Sequence, residues 1–168
     1  MRTGIMEVTV VGARGLKNTE LCGKVDPYVV IQYKNQEQKS TCSGRSQNFK
    51  FQMHFCLCLP GQSISPVWNE KFQFNVEFPG GDEQHKLLLK IMDHGTFNDD
   101  DNLGIATIYL KELFEQGMVN GRIELHTQKY RVVLSDQTYH GEISVGITFT
   151  ATGGIDQQDH DDWKESQS

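Results

Sequence analysis

Two separate stretches of this 168-residue sequence carry acidic residues in loop-like surroundings. The first stretch carries Glu20 and Asp26 on either side of Gly23. The second stretch follows a strand-like segment and carries four carboxylates: Asp93, Asp99, Asp100 and Asp101. Carboxylates within ~4–6 Å of one another repel strongly unless a cation lies between them. Calcium accepts about six to eight oxygen ligands at flexible geometry, so the two stretches predict a Ca²⁺ site if the fold brings them together.

Short segments of alternating apolar and polar residues dominate the rest of the chain, as is typical of half-buried strands. In one of them Phe72 and Phe74 alternate with polar neighbours. The eight segments are residues 5–11, 28–34, 71–76, 86–92, 103–109, 122–126, 130–134 and 142–150. Turn-forming residues separate them at the spacing of an antiparallel sandwich. With one short helix predicted from Leu110 to Gln116 and ended by Gly117, the sequence predicts an all-β, eight-stranded antiparallel β-sandwich.

The composition indicates one globular domain and excludes several classes of protein. Apolar residues make up 37% of the chain, and no apolar stretch approaches the ~18–20 residues of a membrane-spanning helix. The tail from Gly153 holds five acids and one lysine, which leaves 17 acids and 15 bases before it, too balanced for a general nucleic-acid binder. We predict a folded domain over residues 1–152 and a disordered acidic tail over 153–168. With no visible signal peptide, we expect a cytoplasmic protein, and we expect it to be a monomer.

Four short motifs occur in order along the chain. They are MEVTVVGARGL at residues 6–16, GKVDPYV at 23–29, PVWNEKF at 66–72, and MDHG at 92–95 with DNLG at 101–104. Over roughly residues 4–150 they resemble the C2 domain, the calcium-dependent phospholipid-binding module. The start directly at the first strand resembles the circularly permuted type II topology of that family. Residues 132–143 resemble small single-domain plant members, including the elicitor-responsive and phloem proteins.

The resemblance implies a set of calcium ligands. It assigns Glu20 and Asp26 in the first loop and Asp93 and Asp101 in the later loop, with Asp99 as a possible further ligand. Asp100 is expected to face solvent. This chain departs from the family pattern in having Glu20 where an aspartate is usual and Gly95 where a bridging carboxylate is usual. We therefore expect one ion to bind well and a second to bind weakly, with affinity of ~10⁻⁵–10⁻³ M in the absence of lipid.

Two further sets of residues are candidate membrane contacts. Leu21 and Phe97 are expected at the tips of the two loops, where apolar side chains can enter the headgroup region, although Phe97 could equally pack on its own loop. The lysines Lys34, Lys71 and Lys90 fall on outward positions of three strands. They could form a patch for lipid headgroups, each contributing up to ~1 kcal/mol near an anionic surface, or could simply be solvated.

Residues 48–60 form an unusual inserted segment. Between Thr41 and Pro66 the chain has about two dozen residues where the family usually has about ten, and the apolar residues of the excess alternate as in a strand. An apolar strand without a partner favours aggregation. The sequence leaves open whether this segment pairs as an added hairpin, enters a membrane or is an alternative product of the gene.

The acidic stretches and the C2 resemblance together predict calcium-regulated binding to anionic phospholipid membranes, with recruitment from the cytoplasm to the plasma membrane. The resemblance to the small plant members implies a role in defence or stress signalling. No nucleophile motif, phosphate-binding glycine loop or metal-hydrolase pair is present, so we expect no enzymatic activity. The alternative is a calcium-independent adaptor that binds protein or RNA through its sheet face. The sequence identifies no particular protein partner, and RNA is not the expected partner.

Overall fold

A computed structural model describes residues 2–17, 25–42, 63–79, 85–94 and 99–153 of the chain. The strands are β1 (Arg2–Arg14), β2 (Leu16–Lys17), β3 (Pro27–Tyr33), β4 (Gln36–Lys39), β5 (Ser63–Ile64), β6 (Val67–Phe78), β7 (Lys86–Asp93), β8 (Asp101–Tyr109), β9 (Arg122–Val133) and β10 (Tyr139–Thr152). One helix, α1 (Lys111–Asn120), connects β8 to β9. The inserted segment 48–60 and the tail beyond Gly153 lie outside the described residues, so both predictions about them stay predictions.

Eight strands form one antiparallel sheet in the order β4-β3-β7-β8-β9-β10-β1-β6. Between β8 and β9 the register contains a single residue pair, Ile105 with Val133, and the sheet folds over at this weak junction. The first and last strands of this order then lie side by side. The Gln36 side-chain amide on β4 donates to the backbone carbonyl of Asn75 on β6 at 2.7 Å. The result is two layers of four strands, β4-β3-β7-β8 and β9-β10-β1-β6. This confirms the predicted all-β antiparallel sandwich with one short helix.

Alternation along the strands creates a single core between the layers. On β6 the side chains of Phe72, Phe74 and Val76 are buried while the residues between them are exposed. The ring of Phe74 packs edge-on against Tyr33 of the other layer, with ring centroids 6.4 Å apart. Each large apolar side chain buried in this way contributes ~1.5–3 kcal/mol, so the apolar faces of the strands determine the fold.

Several strand and helix boundaries differ from the sequence prediction. The predicted strands 122–126 and 130–134 are one strand, β9, whose pairing with β10 is irregular beside Gly146. The prediction that Gly117 ends the helix was wrong, because α1 continues to Asn120 before Gly121. Gly117 is needed for packing, since a Cβ there would lie 2.3 Å from the ring of Phe149. The sequence also did not predict β2, β4 and β5, which contain only two to four residues each.

The sandwich has two distinct ends. At the end that we call the loop end, β1 finishes at Arg14, β3 begins at Pro27, β7 finishes at Asp93 and β8 begins at Asp101. Helix α1 lies at the opposite end, the helix end. Over the described ranges, no helix has the length and apolar character needed to cross a membrane.

Candidate functional site

The strand register brings the two acidic stretches together at the loop end. Pro27 on β3 is paired with Asp93 on β7, although the two are far apart in sequence. The backbone N–H of Asp26 donates to Oδ1 of Asp93 at 2.8 Å, and the backbone N–H of His94 donates to the carbonyl of Asp26 at 3.1 Å. Asp26 and Asp93 therefore form the centre of the candidate site.

The carboxylates differ in exposure. Asp93 is 1% exposed, whereas Asp26 is half-buried. Asp101 is the Cα partner of Asp93 across β7 and β8, and both Asp101 and Asp99 are exposed. The structure therefore brings Asp26, Asp93 and Asp101 to adjacent backbone positions at the loop end of the first layer. Glu20, Leu21 and Phe97 lie outside the described residues, so their roles stay predictions.

Asp100 is attached to the first layer through Tyr28, a residue that the sequence analysis did not identify. Asp100 is exposed as expected, yet its carboxylate accepts a hydrogen bond from the Tyr28 hydroxyl and lies 3.5 Å from Nδ1 of His94. Burial, reinforced by the hydrogen bond and negative charge of Asp100, raises the pKa of Tyr28 to about 12. Tyr28 therefore remains a protonated donor at neutral pH. Its position directly after Asp26-Pro27 was the available sequence signal.

We expect Tyr28→Phe to weaken calcium binding about fivefold and to lower the free energy of unfolding by no more than ~1 kcal/mol. The substitution keeps the ring and removes the hydroxyl that fixes Asp100 next to Asp101, a contact worth ~1 kcal/mol. Isothermal titration calorimetry with Ca²⁺ measures the effect, and Tyr109→Phe is the matched control because Tyr109 is an exposed tyrosine at the other end of β8. Equal calcium affinities for the Tyr28 variant and the original protein would contradict the prediction, because the hydrogen bond from Tyr28 to Asp100 would then not contribute to calcium binding.

A buried tryptophan fixes the backbone beside Asp26. The indole N–H of Trp68, on β6 of the second layer, donates to the backbone carbonyl of Pro27 on β3 at 3.1 Å. Trp68 is 8% exposed and belongs to the core. This bond links the two layers directly behind the acidic residues and restricts the position of Asp26.

The chemistry of these carboxylates fits a hard cation. Carboxylate oxygens on irregular loop ends are the ligands that Ca²⁺ prefers. Over the described residues, however, no three His, Cys, Asp or Glu side chains converge closely enough to hold a metal ion. The assignment of the complete ligand set therefore stays a prediction.

The three predicted headgroup lysines are not brought together. Lys90 is on β7 in the first layer, and Lys71 is on β6 in the second layer, where its Nζ lies 3.7 Å from Glu7 Oε1. Because both point away from the core, they lie on opposite sides of the sandwich. Lys34 is in the β3–β4 turn at the helix end, with its Nζ 5.7 Å from the centroid of the Tyr33 ring. A single patch of these lysines is therefore not formed.

Comparison with known proteins identifies the family. Residues 4–125 match the family model of the C2 domain. The chain belongs to the C2 domain family. Elicitor-responsive protein 1 of Oryza sativa subsp. japonica is 43% identical to this C2 protein over 161 residues, which cover 94% of this chain and 90% of that protein. The 16 kDa phloem protein 1 of Arabidopsis thaliana is 38% identical over 169 residues, which cover 99% of each chain.

A solved structure supports the same assignment. A C2 domain-containing protein from a putative elicitor-responsive gene superimposes with a TM-score of 0.58 at 31% identity, covering 92% of this chain and 93% of that chain. The predicted resemblance to plant elicitor-responsive and phloem proteins is thus confirmed. C2 domains are generally non-enzymatic modules that bind Ca²⁺ and phospholipid membranes.

Proposed function

We propose that this C2 protein binds anionic phospholipid membranes in response to calcium, as part of plant defence or stress signalling. The observation that carries the proposal is the hydrogen bond from Asp26 N–H to Asp93 Oδ1, which connects the two acidic stretches across 67 residues of sequence. Asp101, the strand partner of Asp93, adds a third carboxylate at the loop end.

Electrostatics explains how calcium would control binding. In the absence of the ion, the carboxylates at the loop end repel an anionic membrane. Asp26, Asp93 and Asp101 would hold Ca²⁺, with Glu20 and Asp99 as further proposed ligands. Each ion adds two positive charges and can take a lipid phosphate oxygen as a ligand. Because Gly95 replaces a usual carboxylate, we expect one ion to dominate.

The same mechanism would move the protein within the cell. Leu21 and Phe97 are the proposed apolar residues that enter the headgroup region once calcium is bound. A rise in calcium would then recruit the protein from the cytoplasm to the plasma membrane, where anionic lipids are concentrated in the cytoplasmic leaflet.

The test is sedimentation with anionic vesicles in calcium and in chelator, comparing the original protein with the Asp26→Asn, Asp93→Asn double variant. We expect the double variant to lose calcium-dependent binding by at least ~10-fold, because two ligand charges are removed. The asparagine introduced at position 93 retains a side-chain oxygen that can accept the N–H of residue 26, so the fold should survive. Asp136→Asn is the matched control, because this acid at the loop end hydrogen-bonds to Thr138 of its own turn.

Gly95, which stands where a bridging carboxylate is usual, favours a second candidate, a calcium-independent adaptor that binds protein or RNA through its sheet face. The same experiment separates the two functions. Vesicle binding that needs calcium and disappears in the double variant supports the calcium switch. Equal binding in calcium and chelator contradicts it and supports the adaptor. No vesicle binding at all contradicts the calcium switch.

A further inference from the structure

Two arginines lie in one row across three strands of the second layer. In the strand register Arg14 of β1 is paired with Glu142 of β10, and Glu142 is paired with Arg131 of β9. The next row, through Ala13 and Ile143, is buried, so the arginine row points away from the core. The calcium-site acids lie elsewhere, at the loop end of the first layer.

The row borders a groove that is open to solvent. The groove has a volume of about 390 Å³ and is lined by Arg14, Gly15, Arg131, Tyr139, Gly141 and Glu142, which we call the arginine groove. The backbone packs tightly beneath it, because a Cβ at Gly141 would lie 2.5 Å from the backbone oxygen of Arg14. Gly141 also has a φ of +84°, in the left-handed region that favours glycine, so the turn that positions Glu142 depends on it.

The charge of the arginine groove is positive. Among the described residues that line it, the one carboxylate is that of Glu142, which lies 4.0 Å from Nζ of Lys129, a neighbouring cation on β9. Within the described residues neither Arg14 nor Arg131 forms an ion pair, and both are exposed. Three cations and one acid therefore leave an excess of two positive charges at this surface.

Tyr139 gives the arginine groove an amphipathic rim. Its side chain is 63% exposed, and the Arg131 guanidinium lies over its ring, 5.4 Å from the centroid. This cation–π contact orients the guanidinium, and Arg131 remains exposed to solvent as a hydrogen-bond donor. An exposed tyrosine that is apolar on its face and polar at its hydroxyl suits the boundary between headgroups and water.

We propose that Arg14 and Arg131 bind the phosphomonoester of a lipid headgroup, an inference that rests on the proposed membrane function. Guanidinium groups bind phosphate oxygens through paired, charge-assisted hydrogen bonds, and a phosphomonoester carries more negative charge than a phosphodiester. Arg14 is the last residue of β1 and Tyr139 the first of β10, so the arginine groove opens at the loop end. A membrane contacted by the calcium loops is therefore within reach of both arginines.

This site adds lipid selectivity to the calcium response. Calcium bound at the loop end of the first layer would bring this end of the protein to any anionic surface. The arginine groove on the second layer would then retain the protein where phosphomonoester lipids are present. Occupation of both sites would also fix the orientation of the sandwich, with the outer surface of the second layer tilted towards the bilayer.

The experiment compares vesicles of phosphatidylcholine and phosphatidylserine with vesicles of equal total charge that also contain phosphatidic acid, each in calcium and in chelator. We expect the original protein to prefer the phosphatidic acid vesicles, and the Arg14→Gln, Arg131→Gln double variant to lose about 10-fold of that preference, since two charge-assisted phosphate contacts are removed. The matched control is the Arg2→Gln, Arg122→Gln double variant, which removes the same charge from the other ends of β1 and β9. Thermal melts are expected to be unchanged in both variants, because all four side chains are exposed.

The outcomes separate this inference from the proposed function. Loss of the preference in the Arg14 and Arg131 variant alone, with calcium-dependent binding to phosphatidylserine retained, supports the arginine groove. An equal loss in both double variants, or no preference in the original protein, overturns it without affecting the calcium switch. Binding of glycerol 3-phosphate or a phosphotyrosine peptide without any vesicle preference would also overturn it, because the ligand would then not be a membrane lipid. Failure of calcium-dependent binding to phosphatidylserine contradicts the proposed function. The preference for phosphatidic acid vesicles measured in chelator then still tests the role of Arg14 and Arg131.

Discussion

Replacing Phe114 by alanine is expected to lower the free energy of unfolding by about 3–5 kcal/mol while leaving calcium affinity unchanged. Phe114 on α1 is fully buried and lies in an aromatic cluster with Tyr33, Phe78 and Phe149. Its ring centroid is 4.9 Å from that of Phe149 on β10 and 6.0 Å from that of Tyr33 on β3. The side chain therefore connects the helix to both layers, and its removal leaves a cavity that the surrounding strands cannot fill.

Chemical denaturation in chelator measures this loss, because bound calcium would add stability by mass action. A loss of this size corresponds to a fall in melting temperature of roughly 10 °C for a chain of this length. Phe114→Leu is the control and should cost clearly less than Phe114→Ala, since leucine fills much of the space that the ring occupied. A change in calcium affinity of the folded Phe114→Ala protein would contradict the prediction, because the cluster is at the helix end and the acidic residues are at the loop end.

Most of the fold could be predicted from the sequence because alternation is a local property. The pattern Phe72, Phe74, Val76 identifies β6 and its buried face without knowledge of the strand's partners. The short strands β2, β4 and β5 could not be found in this way, since two to four residues are too few to show a period. They exist because longer neighbours position them, as β3 does for β4.

The helix boundary was mispredicted for a related reason. A glycine inside a helical pattern usually indicates an end, yet Gly117 remains in α1 because the ring of Phe149 occupies the space where a side chain would lie. That contact joins residues from distant parts of the chain. Local propensity could not distinguish it from a helix stop.

The acids of the candidate site could be predicted by residue type, but their supports could not. Asp26, Asp93 and Asp101 were identified from the two acidic stretches and the family motifs. The contact of Tyr28 with Asp100 spans 72 residues, and that of Trp68 with Pro27 spans 41, so both depend on strand register. Register across a sandwich is a tertiary property that periodicity does not contain.

The lysine prediction and the arginine groove both depend on which layer a strand joins. Alternation correctly gives Lys71 and Lys90 outward directions, but it cannot assign a strand to one of the two layers. Arg14 and Arg131 are far apart in sequence, and no motif there connects them. They become neighbours only because β10 lies between β1 and β9.

Replacing Trp68 by alanine is expected to affect stability and calcium binding together. The loss of a buried indole costs about 3–5 kcal/mol of unfolding free energy, similar to the loss at Phe114. Trp68 differs from Phe114 in its position, because its N–H holds the carbonyl of Pro27 beside Asp26. Without this bond the backbone at Asp26 is less restricted, so we expect calcium affinity to fall about fivefold, equivalent to one hydrogen bond of ~1 kcal/mol.

Trp68→Phe separates the two effects. Phenylalanine retains most of the packing and removes the donor, so it should lose only ~1 kcal/mol of stability and still show the fivefold weaker calcium binding by calorimetry. Phe114→Ala is the reciprocal case, with a large stability loss and no change in calcium affinity. If Trp68→Ala and Phe114→Ala weakened calcium binding equally, the effect would follow from global destabilisation. If only the Trp68 variants weakened it, the link from the second layer through Pro27 to Asp26 would be a determinant of the calcium site.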